Sequence, residues 1–125
     1  MKQYLLNHQT LILSFKYAFR GVFYAFKYNQ NLRIHFFIAV LVVITSIFFH
    51  VNAFEMGILG IMILLVISAE MINTAIEEMV DFVITEHKKE AKIAKDVSAG
   101  MVLLTAIGSV IVGVLIFTPY ILKFL

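Results

Sequence analysis

Residues 97–117, VSAGMVLLTAIGSVIVGVLIF, run for twenty-one positions without a charge. A helix needs about 20 apolar residues to cross the roughly 30 Å hydrocarbon layer of a bilayer, and this run supplies them in one piece. Two more stretches come close. Residues 34–49, IHFFIAVLVVITSIFF, contain one histidine and no acid, lysine or arginine, and residues 54–69 are apolar apart from Glu55 and Ser68. Each run is apolar on every side of a helix, a pattern that suits lipid or the centre of a large protein, not the surface of a small bundle. The whole chain agrees. Of its 125 residues, 62% are hydrophobic and 14% are charged, where soluble domains average about 45–50% and about 25%. A soluble domain of this length buries too small a share of its chain to hide that much apolar surface. The expected fold is therefore an all-α integral membrane protein, a single domain with spans at about 32–50, 54–84 and 95–121. The chain has no cysteine, which excludes a disulfide framework and a thiolate metal site. Its one proline is Pro119, so long uninterrupted helices are readily formed.

Charge sets the orientation. Lys2, Lys16, Arg20, Lys27 and Arg33 precede the first span, and Lys88, Lys89, Lys92 and Lys95 crowd the second loop. The first loop, HVNAFE, has no lysine or arginine, and only Lys123 follows the last span. The positive-inside rule then places the N-terminus and the second loop in the cytoplasm. The first residues, MKQYLLNHQTLILSFKYAFRG, lack a small-residue cleavage site, and no signal peptide is expected. Within SFKYAFRGVFYAFKY, residues 14–28, Phe15, Phe19, Val22 and Phe26 share one helix face. Lys16, Arg20 and Lys27 lie roughly 100–140° away from it. This segment, about 11–29, reads as an amphipathic helix lying in the membrane surface.

The second apolar run ends unusually. AEMINTAIEEMVD, residues 69–81, places Glu70, Asn73, Glu77, Glu78 and Asp81 within twelve positions. Taking Glu70 as origin, Asn73, Thr74, Glu77 and Asp81 fall at about −60°, 40°, −20° and 20°, so they form one stripe about 16 Å long. Glu78 lies about 80° off, at the stripe's edge. Ionised side chains inside a bilayer are costly and mark functional sites. Two chemistries suit such a row. One is holding a hard divalent cation together with substrate phosphates. The other is general-base catalysis on a hydroxyl. The neighbouring lysines add the cations that phosphoryl transfer requires. An ion carrier or proton relay using Glu70 and Glu77 is the alternative class.

The motifs EMINTAIEEMVD (residues 70–81), AKDVSAGMVLL (94–104) and NLRIH (31–35) together resemble the prokaryotic diacylglycerol kinase family, which includes undecaprenol kinases. The hallmark Glu-x-x-Asn-[Ser/Thr]-Ala-Ile-Glu, with an aspartate four residues on, is met by Glu70, Asn73, Thr74, Ala75, Ile76, Glu77 and Asp81. The resemblance implies a small bacterial lipid kinase of the cytoplasmic (inner) membrane, homotrimeric, with three transmembrane helices and a surface helix. It implies transfer of the γ-phosphate of MgATP to a lipid hydroxyl, on diacylglycerol or undecaprenol. Carried over by position, Glu70 becomes the catalytic base and meets the lipid with Asn73. Glu77 becomes the Mg²⁺ ligand. Tyr17, Glu77, Glu86, His87, Lys88, Lys95 and Asp96 become the ATP-binding set. One position departs from the family pattern. Where many members carry a second metal-binding glutamate, this chain has Asn29, which offers a carbonyl oxygen but no charge.

The remaining features read plainly. His35 reads as an interfacial side chain, and His8, His50 and His87 are too scattered for a metal cluster. Ser109 and Gly113 form a small-xxx-small pair that permits close helix approach. The basic residues form no extended surface for nucleic acid.

Overall fold

The computed structural model describes residues 8–86 and 88–125, which form four helices and, among those residues, no strand. Helix α1 is His8–Tyr28, α2 Gln30–Phe48, α3 Ala53–Val83 and α4 Lys89–Phe124. Three of them, α2, α3 and α4, are long and apolar enough to cross a membrane. At 1.5 Å per residue, α3 and α4 measure about 46 and about 54 Å, so both outrun a roughly 30 Å hydrocarbon layer.

The corner between α1 and α2 is a single residue. Asn29 is extended (φ −106°, ψ 108°), and its side-chain oxygen accepts from Leu32 N as the cap of α2. Arg33 turns back across it and donates to the carbonyls of Phe26 and Lys27, at 2.9 and 2.6 Å. Those carbonyls belong to the last turn of α1, where intrahelical donors run out. Ala25 and Leu32 are buried inside the bend. The chain thus changes direction with its freed polar groups satisfied.

The α2–α3 turn, at the opposite end, is closed by a different device. Asn52 caps α3 by accepting from Glu55 N at 2.8 Å. Its own N–H donates to Tyr120 Oη at 3.2 Å, and Tyr120 in turn donates to Glu55 Oε2 at 2.6 Å. Val51, Leu59 and Ile116 form a small core beneath. The end of α4 is thereby tied to the start of α3, and these two helices make the most extensive packing in the chain, with α2 against α3 and α1 touching α2 and α3 near the corner.

Helix α4 starts at Lys89, earlier than the apolar pattern alone indicates. Its first turns, KEAKIAKD, are built of strong helix formers and carry an i,i+4 pair, Lys92 to Asp96 at 2.5 Å. Large apolar side chains such as Phe23, Leu104 and Leu115 remain about 70% exposed in the single chain, as a surface solvated by lipid requires.

Candidate active site

Glu70 lies seventeen residues beyond Ala53 on α3. That is about 26 Å along the helix, near the edge of the apolar layer opposite the α2–α3 turn. It is 3% exposed. A carboxylate so enclosed requires hydrogen-bond partners, and the α1–α2 corner supplies one. Asn29 Nδ2 donates to Glu70 Oε2 at 2.9 Å and to Thr74 Oγ1 at 2.6 Å. Thr74 Oγ1 donates back to the Glu70 carbonyl at 2.9 Å. On the other side, His35 Nε2 stands 3.8 Å from Glu70 Oε1.

Asn73, also buried, continues the stripe one turn on. Its Nδ2 donates to Glu77 Oε1 at 3.4 Å, and its Oδ1 accepts from Ser98 Oγ of α4 at 2.6 Å. Glu77 itself is exposed. Glu78 accepts from Tyr24 of α1 at 3.0 Å. That bond holds the phenol above its ordinary value, because the neutral O–H is what Glu78 requires. Asp81 pairs with Lys95 of α4.

Two clefts flank this row. An apolar one of about 210 Å³ lies between α2, α3 and α4, with Ala39, Leu59, Val66 and Gly113 in its walls and His35 at its corner-side end. A polar one of about 760 Å³ lies where α3 passes to α4, and Asp81, Glu86, Lys88, Lys92 and Lys95 line it. A greasy slot and a cationic slot therefore lie at the two ends of one acidic helix face.

Residues 16–117 match the family described as prokaryotic diacylglycerol kinase. The chain belongs to the prokaryotic diacylglycerol kinase family. Its relatives within this kinase family agree. It is 43% identical to a diacylglycerol kinase of Synechocystis sp. over 115 residues, 91% of this chain and 66% of the relative. The chain thus spans just under two thirds of that relative's length. It is 37% identical to an undecaprenol kinase of Bacillus subtilis over 106 residues, 85% of this chain and 86% of the relative. With a diacylglycerol kinase of Haemophilus influenzae the identity is 32% over 109 residues, 86% of this chain and 92% of the relative. The family is one of lipid kinases, and the ion-carrier alternative finds no support in these matches.

Set against the residues expected for a diacylglycerol kinase family member, the structure brings Glu70, Asn73, Glu77 and Asn29 to one face of α3 as two hydrogen-bonded pairs, Asn29 with Glu70 and Asn73 with Glu77. It gathers Glu86, Lys88 and Lys95 around the polar cleft. Asp96 does not line that cleft itself but accepts from Lys92, which does. Tyr17 is 58% exposed, with the Arg20 guanidinium 5.8 Å from its ring. Among the described residues no hydrogen bond or ion pair joins it to the others. His87 lies outside the described residues. Two contributions escaped sequence reading. His35 borders both Glu70 and the apolar cleft, and the histidine closing NLRIH was the available signal. Ser98 meets Asn73, and its i,i+3 spacing from Lys95 places both on one face of α4.

Proposed function

We propose that this chain transfers the γ-phosphoryl group of MgATP to the terminal hydroxyl of a membrane lipid, diacylglycerol or undecaprenol. The observation that supports it best is the setting of Glu70. It is a buried carboxylate bordered by His35 at the end of the apolar cleft and linked through its own helix to the exposed Glu77. A lipid body in the apolar cleft brings its hydroxyl to Glu70. The carboxylate takes the hydroxyl proton, and the lipid oxygen attacks the γ-phosphorus. The bond from that phosphorus to the β,γ-bridging oxygen breaks, and ADP leaves with the electron pair. Lys88 and Lys95 hold the phosphates in the polar cleft. Asn73, oriented from two sides, positions the reacting groups.

The donor set fits a phosphate-bridged magnesium ion. Among the described residues no three His, Asp or Glu side chains gather as a self-sufficient metal cage. Mg²⁺ is commonly held by one or two carboxylates together with substrate phosphates. Glu77 is exposed and met only by Asn73 of its own helix among the described residues, whereas Glu70, Glu78 and Asp81 are engaged from other elements by Asn29, Tyr24 and Lys95. The Asn29 side-chain oxygen, with one lone pair on Leu32 N as the cap of α2, would offer its other as a neutral second ligand. When bound, Mg²⁺ supplies charge neutralisation on the phosphate oxygens.

The lysine-rich α3–α4 turn and the N-terminus face the cytoplasm in this reading, where ATP is available. The cell membrane is the bacterial inner membrane. Three copies assemble, so that a neighbouring subunit's α1 can bring its tyrosine at position 17 to the nucleotide. The test is phosphate transfer from labelled ATP by the purified protein, with each lipid offered separately. Transfer to neither lipid overturns the proposal. Glu70→Gln keeps the shape but cannot take the proton, and turnover falls by about 10²–10⁴-fold. Near-native turnover in that variant removes Glu70 from its role.

A further inference from the structure

Ser98 is a hydroxyl with a choice. Its Oγ lies 2.6 Å from Asn73 Oδ1 and 2.9 Å from the carbonyl oxygen of Lys95. It has one hydrogen and so donates to one acceptor at a time. The bond to Asn73 is the shorter, and it joins two side chains that are 4% and 6% exposed, so bulk water does not replace it.

What this bond decides is which way the Asn73 amide faces. The two ends of an asparagine amide have nearly the same shape, and the hydrogen-bond network alone distinguishes them. As arranged, Ser98 donates to Oδ1, which leaves Nδ2 for Glu77 Oε1 at 3.4 Å. Turned over, the amide would set Oδ1 against the Glu77 carboxylate, two acceptors with no hydrogen between them. Ser98 would then have to give its hydrogen to the Lys95 carbonyl and accept from the amide. With Ser98 donating, the NH₂ end of Asn73 faces the side from which phosphate arrives. Lys95, three residues before Ser98 on the same face of α4, pairs with Asp81 of α3. The serine and the lysine therefore dock α4 onto α3 at adjacent points, one fixing an amide and the other a cleft wall.

We propose that Ser98 is a positioning residue for phosphoryl transfer: its hydrogen bond holds the Asn73 amide with its NH₂ end toward Glu77 and the reacting phosphate. This rests on the kinase reading of the site. Without the hydroxyl, Asn73 Oδ1 loses its donor in a buried place, and the amide is free to turn.

The experiment compares wild type, Ser98→Ala, Asn73→Ala, the double variant and Glu70→Gln, assayed for phosphate transfer from ATP to lipid. Loss of a residue that orients another by hydrogen bonding typically costs about 10–100-fold in activity. Ser98→Ala is expected to lose that much in kcat with unchanged KM for ATP and for lipid. Asn73→Ala and the double variant are expected to be equally slow, because Ser98 has nothing left to orient. A wild-type kcat in Ser98→Ala overturns the assignment, and so do losses that multiply in the double variant. A loss confined to KM overturns it as well. Should Ser98→Ala fail to assemble, Ser98→Cys offers a thiol, a weak donor. It is expected to be slow, and full kcat there overturns the proposal. The controls separate the two levels. If wild type transfers no phosphate, the kinase reading has failed. If wild type is active and Glu70→Gln is dead while Ser98→Ala runs at full rate, only the role of Ser98 has failed.

Discussion

Asn29→Glu changes a group that the first bend of the chain and the buried acid share. The amide nitrogen of Asn29 is 2.9 Å from Glu70 Oε2. A carboxylate in its place turns a donor into a second acceptor. Two full charges about 4 Å apart repel by about 4 kcal/mol at an effective dielectric constant of 20. Asparagine is also a favoured helix cap, and its loss costs about 0.5–2 kcal/mol. Proton uptake by the pair relieves part of the repulsion at neutral pH, since two close carboxyls do not both ionise readily. A hard dication beside the new carboxylate relieves it more fully, by neutralising its charge. Thermal unfolding of the purified variant in chelator is therefore expected to occur well below that of wild type. Added Mg²⁺ is expected to close most of the gap while moving wild type little. In a Mg²⁺ titration of initial rate at fixed ATP, the variant should reach half-maximal rate at a lower concentration, because ligand charge strengthens hard-cation sites. A stability gap that ignores Mg²⁺, together with an unchanged or raised half-maximal concentration, would refute the reasoning and remove Asn29 from the metal's surroundings.

Glu77→Gln is expected to nearly abolish transfer at any practical Mg²⁺ concentration while leaving the fold intact, because it removes the one carboxylate of the row whose side-chain partner lies on its own helix. The same Mg²⁺ titration checks it, and appreciable activity at high Mg²⁺ would show that another ligand serves. A cysteine at Lys89 should be labelled by an impermeant reagent only from the cytoplasmic side, and one at Asn52 only from outside. Both positions are exposed, and labelling of both from one side would contradict the lysine bias of the loops.

The helices were legible because lipid imposes a simple demand. The three apolar runs announce themselves by length, and α2, α3 and α4 contain them but for Phe49, the C-cap of α2. The polar start of α4 was harder, since residues 89–94 carry one large apolar side chain, Ile93, and propensity with an i,i+4 pair extends the helix there. The acidic stripe was legible because helix periodicity alone puts Glu70, Asn73, Glu77 and Asp81 on one face. Its partners were not. Tyr24 meets Glu78 across 54 positions and Asn29 meets Glu70 across 41. Such pairings depend on how helices cross, which no local pattern encodes. Asn29 shows the difference well. By sequence it is a missing charge at a metal position, whereas in the fold its oxygen caps α2 and its nitrogen serves the buried acid.

The separation of 41 residues between Asn29 and Glu70 also sets an order of events during synthesis. Chains grow at roughly 5–20 residues per second, so the corner amide precedes its acid by about 2–8 s. When Glu70 emerges, its donor is already in place, and the carboxylate need not enter the apolar layer without a partner. Asn73 fares differently, because Ser98 follows it by 25 residues. A nascent chain that ends after α3 holds the acid and the corner, but neither Lys95, the partner of Asp81, nor Ser98, the partner of Asn73. Helix α4, made after α3, supplies one wall of the apolar cleft and the lysine side of the polar one, so neither cleft exists in a chain that stops at α3.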